Sequence, residues 1–175
     1  MGFGKAFLLS IAAFVGLNFI FTIIYYALGP GIDVLFDYIQ TYPLIILYYL
    51  FGSIVSTPSL IFSNIIAQPL LASFVVENFL LWLGYLIALI IAAILAGKFG
   101  ESKIQCFGGW LLTSVISTVS VIIAATLSDF TQGTVLTMIL KTSFDELLIF
   151  VIISCVINIF FYGFFALLVS KIEYY

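Results

Sequence analysis

The chain has 175 residues, of which 65% are hydrophobic and only 7% are charged, and its net charge is -3. Soluble domains carry about 25% charged residues, so this composition excludes a soluble globular domain and predicts an all-α, polytopic integral membrane protein. A spanning helix needs roughly 20 apolar residues, which leaves room for about six or seven spans and for no soluble domain. We therefore expect a single transmembrane domain over residues 1–175, in contact with the lipid bilayer.

Charge-poor runs between turn and charge signals predict six spans. They cover about residues 6–28, 33–55, 58–75, 77–97, 107–127 and 146–170. The first run ends at the breaker Gly29-Pro30-Gly31, and the second begins near Asp33, which can cap a helix. Thr57 can cap the third run, with Pro58 in the first helical position. Ser143, followed three residues later by Glu146, predicts a capping box before the last span.

The third run, within the stretch from Ser56 to Phe74, is the one whose path the sequence leaves open. It carries two prolines and two polar amides, and we expect the Gln68-Pro69 pair to kink it. Eighteen helical residues reach about 27 Å, which is just short of a typical bilayer core. The run therefore either crosses the membrane or dips in and returns as a re-entrant hairpin. Broken backbone at membrane depth usually lines a cavity, so the hairpin would indicate a pore.

The distribution of lysine favours crossing, because short cytoplasmic loops carry an excess of Lys and Arg. With six spans, one side of the membrane holds Lys5, Lys98, Lys103 and Lys171, and Lys141 alone lies on the other side. With the third run re-entrant and five spans, the same lysines divide three against two. We therefore predict six spans in the cell membrane, with both termini cytoplasmic and most acidic residues outside.

Several classes of chemistry lack the residues that they need. The chain has no histidine, its cysteines Cys106 and Cys155 are unpaired in the sequence, and it has no glycine-rich phosphate loop. Proton pumps and voltage sensors usually carry charged residues near the middle of their spans, and no predicted span has one there. We expect no catalytic residues, no cofactor, no metal site and no nucleic-acid partner. Tyr25 and Tyr26 fall where an interfacial aromatic belt is expected.

Neutral polar residues lie near the middle of nearly every predicted span. The candidates are Asn18, Asn64, Tyr85, Ser117, Thr118 and Asn158, with Tyr48 and Tyr49 at similar depth. Such residues commonly form hydrogen bonds between helices, and they can also line a site for an uncharged ligand. Convergence on one cavity would favour a transport protein, whereas scattering into separate helix contacts would favour a structural role.

Two functions are consistent with these features. The first is a non-catalytic subunit that packs within a larger membrane complex beside other membrane proteins, since loops are minimal and no reactive constellation is present. The alternative is a small-molecule transport protein, either a permease or channel or a substrate-binding subunit. In size, six predicted spans, inward termini and small residues on the first helix, the chain resembles the S-components of energy-coupling-factor transporters. That resemblance is architectural, involves no motif and implies no particular site residues.

Overall fold

The computed structural model describes residues 2–71 and 74–170, which form helices and no strands. The helices are α1 (Gly2–Leu28), α2 (Ile32–Thr41), α3 (Ile45–Phe51), α4 (Pro58–Ala67), α5 (Val76–Phe99), α6 (Lys103–Leu127), α7 (Asp129–Ile139) and α8 (Phe144–Leu168). Two short 3-10 turns, Gly52–Val55 and Gln68–Leu70, follow α3 and α4. The predicted all-α class is confirmed.

Four helices, α1, α5, α6 and α8, are long and apolar enough to cross a membrane. They correspond to the first, fourth, fifth and sixth predicted spans. Helix α6 begins earlier than predicted because the Ser102 hydroxyl accepts a hydrogen bond from the Gln105 amide at 3.3 Å. The predicted cap of α8 is present, since the Ser143 hydroxyl accepts from the Glu146 amide at 3.3 Å.

Small residues let these four helices approach closely. Gly109 on α6 packs against Ala6 on α1, and one turn further along both helices the Thr113 hydroxyl donates to the Ser10 hydroxyl at 3.0 Å. A Cβ added to Gly97 on α5 would collide with the carbonyl oxygen of Ala166 on α8. The first two contacts make α1 parallel to α6, with their amino-terminal ends side by side. The third places the carboxyl-terminal ends of α5 and α8 together, at the same end of the bundle as the start of α1, since α5 ends just before α6 begins. We call this end of the bundle the amino-terminal end and the opposite one the far end.

The second and third predicted spans are not continuous helices. Residues 33–55 divide into α2 and α3, because Pro43 lacks an amide proton and disfavours helical backbone before it. Asp33 lies in the first turn of α2 instead of capping it. Residues 58–75 contain only the short α4, which gives way to a 3-10 turn at the predicted Gln68-Pro69 break. The six-span prediction is not confirmed, since the described residues hold four spanning helices and at most five candidate spans.

The extra candidate is a bent pair, in which residues 45–55 and 58–70 meet at 92°. We call residues 45–70 the inserted segment. The chain enters and leaves it at one end of the bundle, because a Cβ on Gly29, just after α1, would lie 2.9 Å from Cγ of Glu77 at the start of α5. Its central turn, Gly52–Val55, packs against α6 and α8. The inserted segment thus reaches the bundle interior and returns to the far end.

Candidate functional site

A cavity of about 150 Å³ lies where α1, α3, α5 and α7 meet. We call it the tyrosine cavity, since its lining residues are Thr22, Tyr25, Tyr26, Tyr48, Tyr49, Leu81, Tyr85 and Thr134. Five of these eight residues are tyrosines and none is charged. The inserted segment contributes Tyr48 and Tyr49, so the cavity depends on how that segment enters the bundle.

The rings around the cavity meet at wide angles instead of stacking face to face. Tyr25 and Tyr26 have centroids 5.3 Å apart and planes at 87°. Tyr26 and Tyr49 are 5.7 Å apart at 71°, and Tyr48 and Tyr49 are 6.1 Å apart at 52°. The first two pairs are edge-to-face and the third is tilted, and edge-to-face pairs stabilise packing through the ring quadrupoles.

The hydroxyl groups of the lining are largely paired with one another. The Tyr26 and Tyr49 hydroxyls form a 2.7 Å hydrogen bond. The Tyr85 hydroxyl donates to that of Tyr48 at 3.5 Å, and Tyr48 donates to Sδ of Met138 on α7 at 2.8 Å. This network links the inserted segment to α1, α5 and α7, and it leaves the cavity polar in places but neutral.

The surroundings of the cavity are acidic. Glu77 lies beside Gly29, one helical turn beyond Tyr25. The far end of the bundle carries six acidic residues and one lysine: Asp33, Asp37, Glu77, Asp129, Asp145, Glu146 and Lys141. This end of the molecule therefore presents a negative field, whereas Lys5, Lys98 and Lys103 lie at the amino-terminal end.

Asn158 stabilises the turn of the inserted segment. Breaking a helix frees backbone carbonyls that the bundle interior has to satisfy. The Asn158 side-chain amide donates to the carbonyls of Ile54 at 2.8 Å and Ser56 at 3.1 Å. The backbone carbonyl of Asn158 accepts a hydrogen bond from the indole N–H of the fully buried Trp110 at 3.2 Å. One residue of α8 therefore connects the turn to α6.

The turn and its neighbours also hold buried hydroxyls without a hydrogen-bond partner among the described residues. These are Ser53, Ser56, Ser114, Thr118 and Ser154, on the turn, α6 and α8. The α6 and α8 members face each other, since Sγ of Cys155 lies 3.9 Å from the carbonyl oxygen of Ser114. Buried polar groups are normally paired or hydrated, so these hydroxyls are exceptions. They also make the interior between α6 and α8 more polar than the exposed faces of the same helices, which carry mainly Leu, Val, Ile and Phe.

The structure divides the six predicted site residues among several environments. Tyr85 alone lines the tyrosine cavity, Asn158 binds the turn, and Thr118 lies between α6 and α8. The others donate to carbonyls of their own helices: Asn18 to Phe14, Asn64 to Leu60, and Ser117 to Thr113. The six candidates do not converge on one cavity, and their separate contacts favour a structural role for them. Tyr48 and Tyr49, which the sequence placed at similar depth, do line the cavity beside Tyr85.

Sequence reasoning missed part of the site because it assigned Tyr25 and Tyr26 to an interfacial belt. Tyr26 is buried, and it continues a stripe of buried residues at every fourth position of α1. The stripe consists of Gly2, Ala6, Ser10, Phe14, Asn18, Thr22 and Tyr26. That spacing was a usable signal in the sequence. For Thr134 the sequence offered no such signal, because α7 lies between the fifth and sixth predicted spans, where a loop was expected.

The fold and the site define a multi-pass helical membrane protein with a neutral, aromatic cavity. Within residues 2–71 and 74–170, no three His, Cys, Asp or Glu side chains come together as a metal site. No family model matches the chain, and neither a curated protein nor a solved structure is significantly similar to it. The architectural resemblance to S-components therefore gains no support from these comparisons.

Proposed function

We propose that the inserted segment is a re-entrant hairpin and that α1, α5, α6 and α8 are the four spans. Support comes from the proximity of Gly29 and Glu77, which places the end of α1 and the start of α5 at one membrane face. This arrangement has the same parity as six spans, so both termini lie on one side. The positive-inside rule, with Lys5, Lys98 and Lys103 on that side, supports our assignment of it to the cytoplasm, and we propose the cell membrane as the location.

On this arrangement the chain is a non-catalytic membrane protein that binds a small solute, as a small permease or as the binding subunit of a transporter. The observation that carries the proposal is the inserted segment, which is broken inside the bundle and whose first helix contributes Tyr48 and Tyr49 to the lining of a cavity. Irregular backbone at membrane depth is tolerated where it is buried in protein or lines a water-filled cavity, and transporters place substrate sites beside such breaks.

Cysteine accessibility tests this proposal. In a background with Cys106→Ser and Cys155→Ser, Thr22→Cys places a thiol in the cavity lining, and Ser10→Cys places one between α1 and α6 as a matched control. The purified protein in nanodiscs is treated with methyl methanethiosulfonate, a small neutral thiol reagent. We expect modification of Thr22→Cys at least tenfold faster than of Ser10→Cys. Equal, slow modification would mean a closed interior and would contradict a solute site.

A packing subunit of a larger membrane complex is the second candidate. Its support is a pair of small residues on α1 that packs against nothing within the described chain: Ala12 is exposed, and a Cβ on Gly16 would meet no atom within 4 Å. Small residues four apart are typical of close helix association. Native mass determination after mild-detergent extraction tests this candidate, since a 19.3 kDa monomer or homo-oligomer contradicts it. A stoichiometric heteromeric complex supports a packing subunit only when Thr22→Cys is also modified as slowly as Ser10→Cys, because the binding subunit of a transporter would have partners too.

A further inference from the structure

We propose that the tyrosine cavity binds a small organic ammonium ion, such as a trimethylammonium group. This inference rests on the proposed solute-binding function and adds the chemical class of the ligand. It depends on three features of the cavity: the tyrosine rings that line it, the charge around it, and the small number of free hydrogen-bond donors.

The rings supply the attraction. Cations bind to the faces of aromatic rings, and a cage of several rings is the usual site for quaternary ammonium groups. Here Tyr25, Tyr26, Tyr48 and Tyr49 all line one cavity, and neighbouring rings among them have centroids 5.3 to 6.1 Å apart. Tyr85 lines the same space from α5. At about 150 Å³, the cavity is as large as an engineered one that holds benzene, and a trimethylammonium group is smaller than benzene.

The charges favour a cation over an anion. No lysine lines the cavity, and Glu77 lies beside Gly29, one turn from the cavity residue Tyr25. The remaining acidic residues of the far end raise the local concentration of cations around it. The cavity itself contains no carboxylate, which suits a weakly hydrated organic cation better than an inorganic ion that needs oxygen ligands.

Five of the seven hydroxyl groups in the lining donate to an acceptor within the described chain, which leaves the Tyr25 hydroxyl and one member of the Tyr26–Tyr49 pair as available donors. Tyr26 and Tyr49 are bonded to each other, Tyr48 donates to Met138, and Tyr85 donates to Tyr48. The Thr22 hydroxyl donates to the Asn18 carbonyl at 2.9 Å. An anion or a sugar would need several free donors, whereas a methylated ammonium group needs none. Two free donors suit an anion or a sugar poorly, so the tyrosine rings are the attraction on which the proposal relies.

The test compares choline with 3,3-dimethylbutan-1-ol, its neutral isostere, in which carbon replaces the charged nitrogen. Binding to the protein in phosphatidylglycerol nanodiscs is measured by calorimetry. We expect choline to bind roughly tenfold or more tightly than the isostere, because only choline gains the attraction to the rings. Equal affinity, or no binding of choline up to tens of millimolar, would overturn the proposal. Neither result affects the accessibility of Thr22→Cys, so the proposed function is judged separately.

Ring variants test the cage itself. Tyr85→Phe keeps the ring face and should bind choline within about threefold of the parent, whereas Tyr85→Leu should weaken binding roughly tenfold. Tyr25→Leu serves as a second variant if Tyr85→Leu does not fold, since Tyr25 is only partly buried. Tyr42→Leu, at the far end and outside the cavity, is the control and should leave affinity unchanged. Equal losses for the cavity variants and Tyr42→Leu would contradict the cage.

Two further measurements locate the charge and the source of the ligand. Glu77→Gln should weaken choline binding more at low salt than at 0.5 M salt, because Glu77 is only partly buried and dissolved ions screen part of its charge. An effect that does not depend on salt would contradict a role for the acidic surroundings.

Nanodiscs of phosphatidylcholine distinguish a lipid headgroup from a free solute as the ligand. If the cavity binds the lipid headgroup, the apparent affinity for choline is lower in these nanodiscs than in phosphatidylglycerol. If the cavity binds only a free solute, the affinity is the same in both.

Discussion

Asn158 has the most demanding structural role of the polar interior residues. Its side chain replaces the helix hydrogen bonds that the inserted segment loses at its turn. Asn18, at similar depth on α1, bonds only within its own helix, to Phe14 at 2.8 Å. The sequence placed both asparagines correctly inside the bundle. It could not separate their roles, because the partner of Asn158 lies about a hundred positions away in the chain.

The difference predicts unequal effects of matched substitutions. Asn158→Leu leaves the carbonyls of Ile54 and Ser56 buried and unpaired, and should lower the free energy of unfolding by about 1 to 3 kcal/mol. Asn18→Leu removes a buried oxygen that has no partner among the described residues, and should leave stability unchanged or raise it. Denaturation with sodium dodecyl sulfate measures both. Equal losses for the two variants would contradict the role of Asn158 as the partner of the turn.

The start of α4 offers a second test at a single residue. The Thr57 hydroxyl accepts from the Leu60 amide at 3.3 Å, with Pro58 in the first helical position, as predicted from sequence. Thr57→Ala should lower the free energy of unfolding by about 0.5 to 2 kcal/mol, whereas Thr57→Ser, which keeps the capping hydroxyl, should lower it by less. A Ser variant as unstable as the Ala variant would show that the methyl group, and not the cap, matters here.

At the level of elements, close helix contacts depend on glycine at particular positions. Gly97 lets α5 approach the backbone of α8, where any side chain would meet the Ala166 carbonyl. Gly97→Ala should therefore force the two helices apart and lower the free energy of unfolding by about 1 to 3 kcal/mol. Gly16→Ala on α1, with open space around it, is the control and should be neutral or stabilising by up to about 1 kcal/mol. Similar losses for both would contradict tight α5–α8 packing.

The elements that sequence reasoning identified correctly are those whose signal is local. Length and apolar composition mark α1, α5, α6 and α8, and Ser143 marks the start of α8. The inserted segment was misjudged because Pro43 and Pro58 were accepted within or beside spans. Hydropathy does not show that α3 and α4 meet at 92°, since that angle is set by packing against α6 and α8.

At the scale of the whole molecule, the lysines do not distinguish the six predicted spans from the four that we propose. Four spans with a re-entrant hairpin distribute Lys5, Lys98, Lys103 and Lys141 just as six spans do. The sequence raised a hairpin only for residues 58–75, whereas the bent pair covers residues 45–70. The sequence placed three cavity residues, Tyr48, Tyr49 and Tyr85, near the middle of their spans. It could not show that they meet, because the lining comes from four elements that only the tertiary fold brings together.

The return of the chain to one membrane face is the central claim, and sided cysteine labelling tests it most directly. Single cysteines at Asp33, Ser56, Glu77 and Ser102, in the background without native cysteines, are exposed to a membrane-impermeant maleimide from each side of oriented vesicles. We predict that Asp33→Cys and Glu77→Cys label from one side and Ser102→Cys from the other. Ser56→Cys should label from neither side until the protein is unfolded, since Ser56 is fully buried.

Two results would contradict the account. Labelling of Asp33→Cys and Glu77→Cys from opposite sides would make the bent pair a fifth span. Labelling of Ser56→Cys from the side of Ser102→Cys would restore six spans and remove the re-entrant segment.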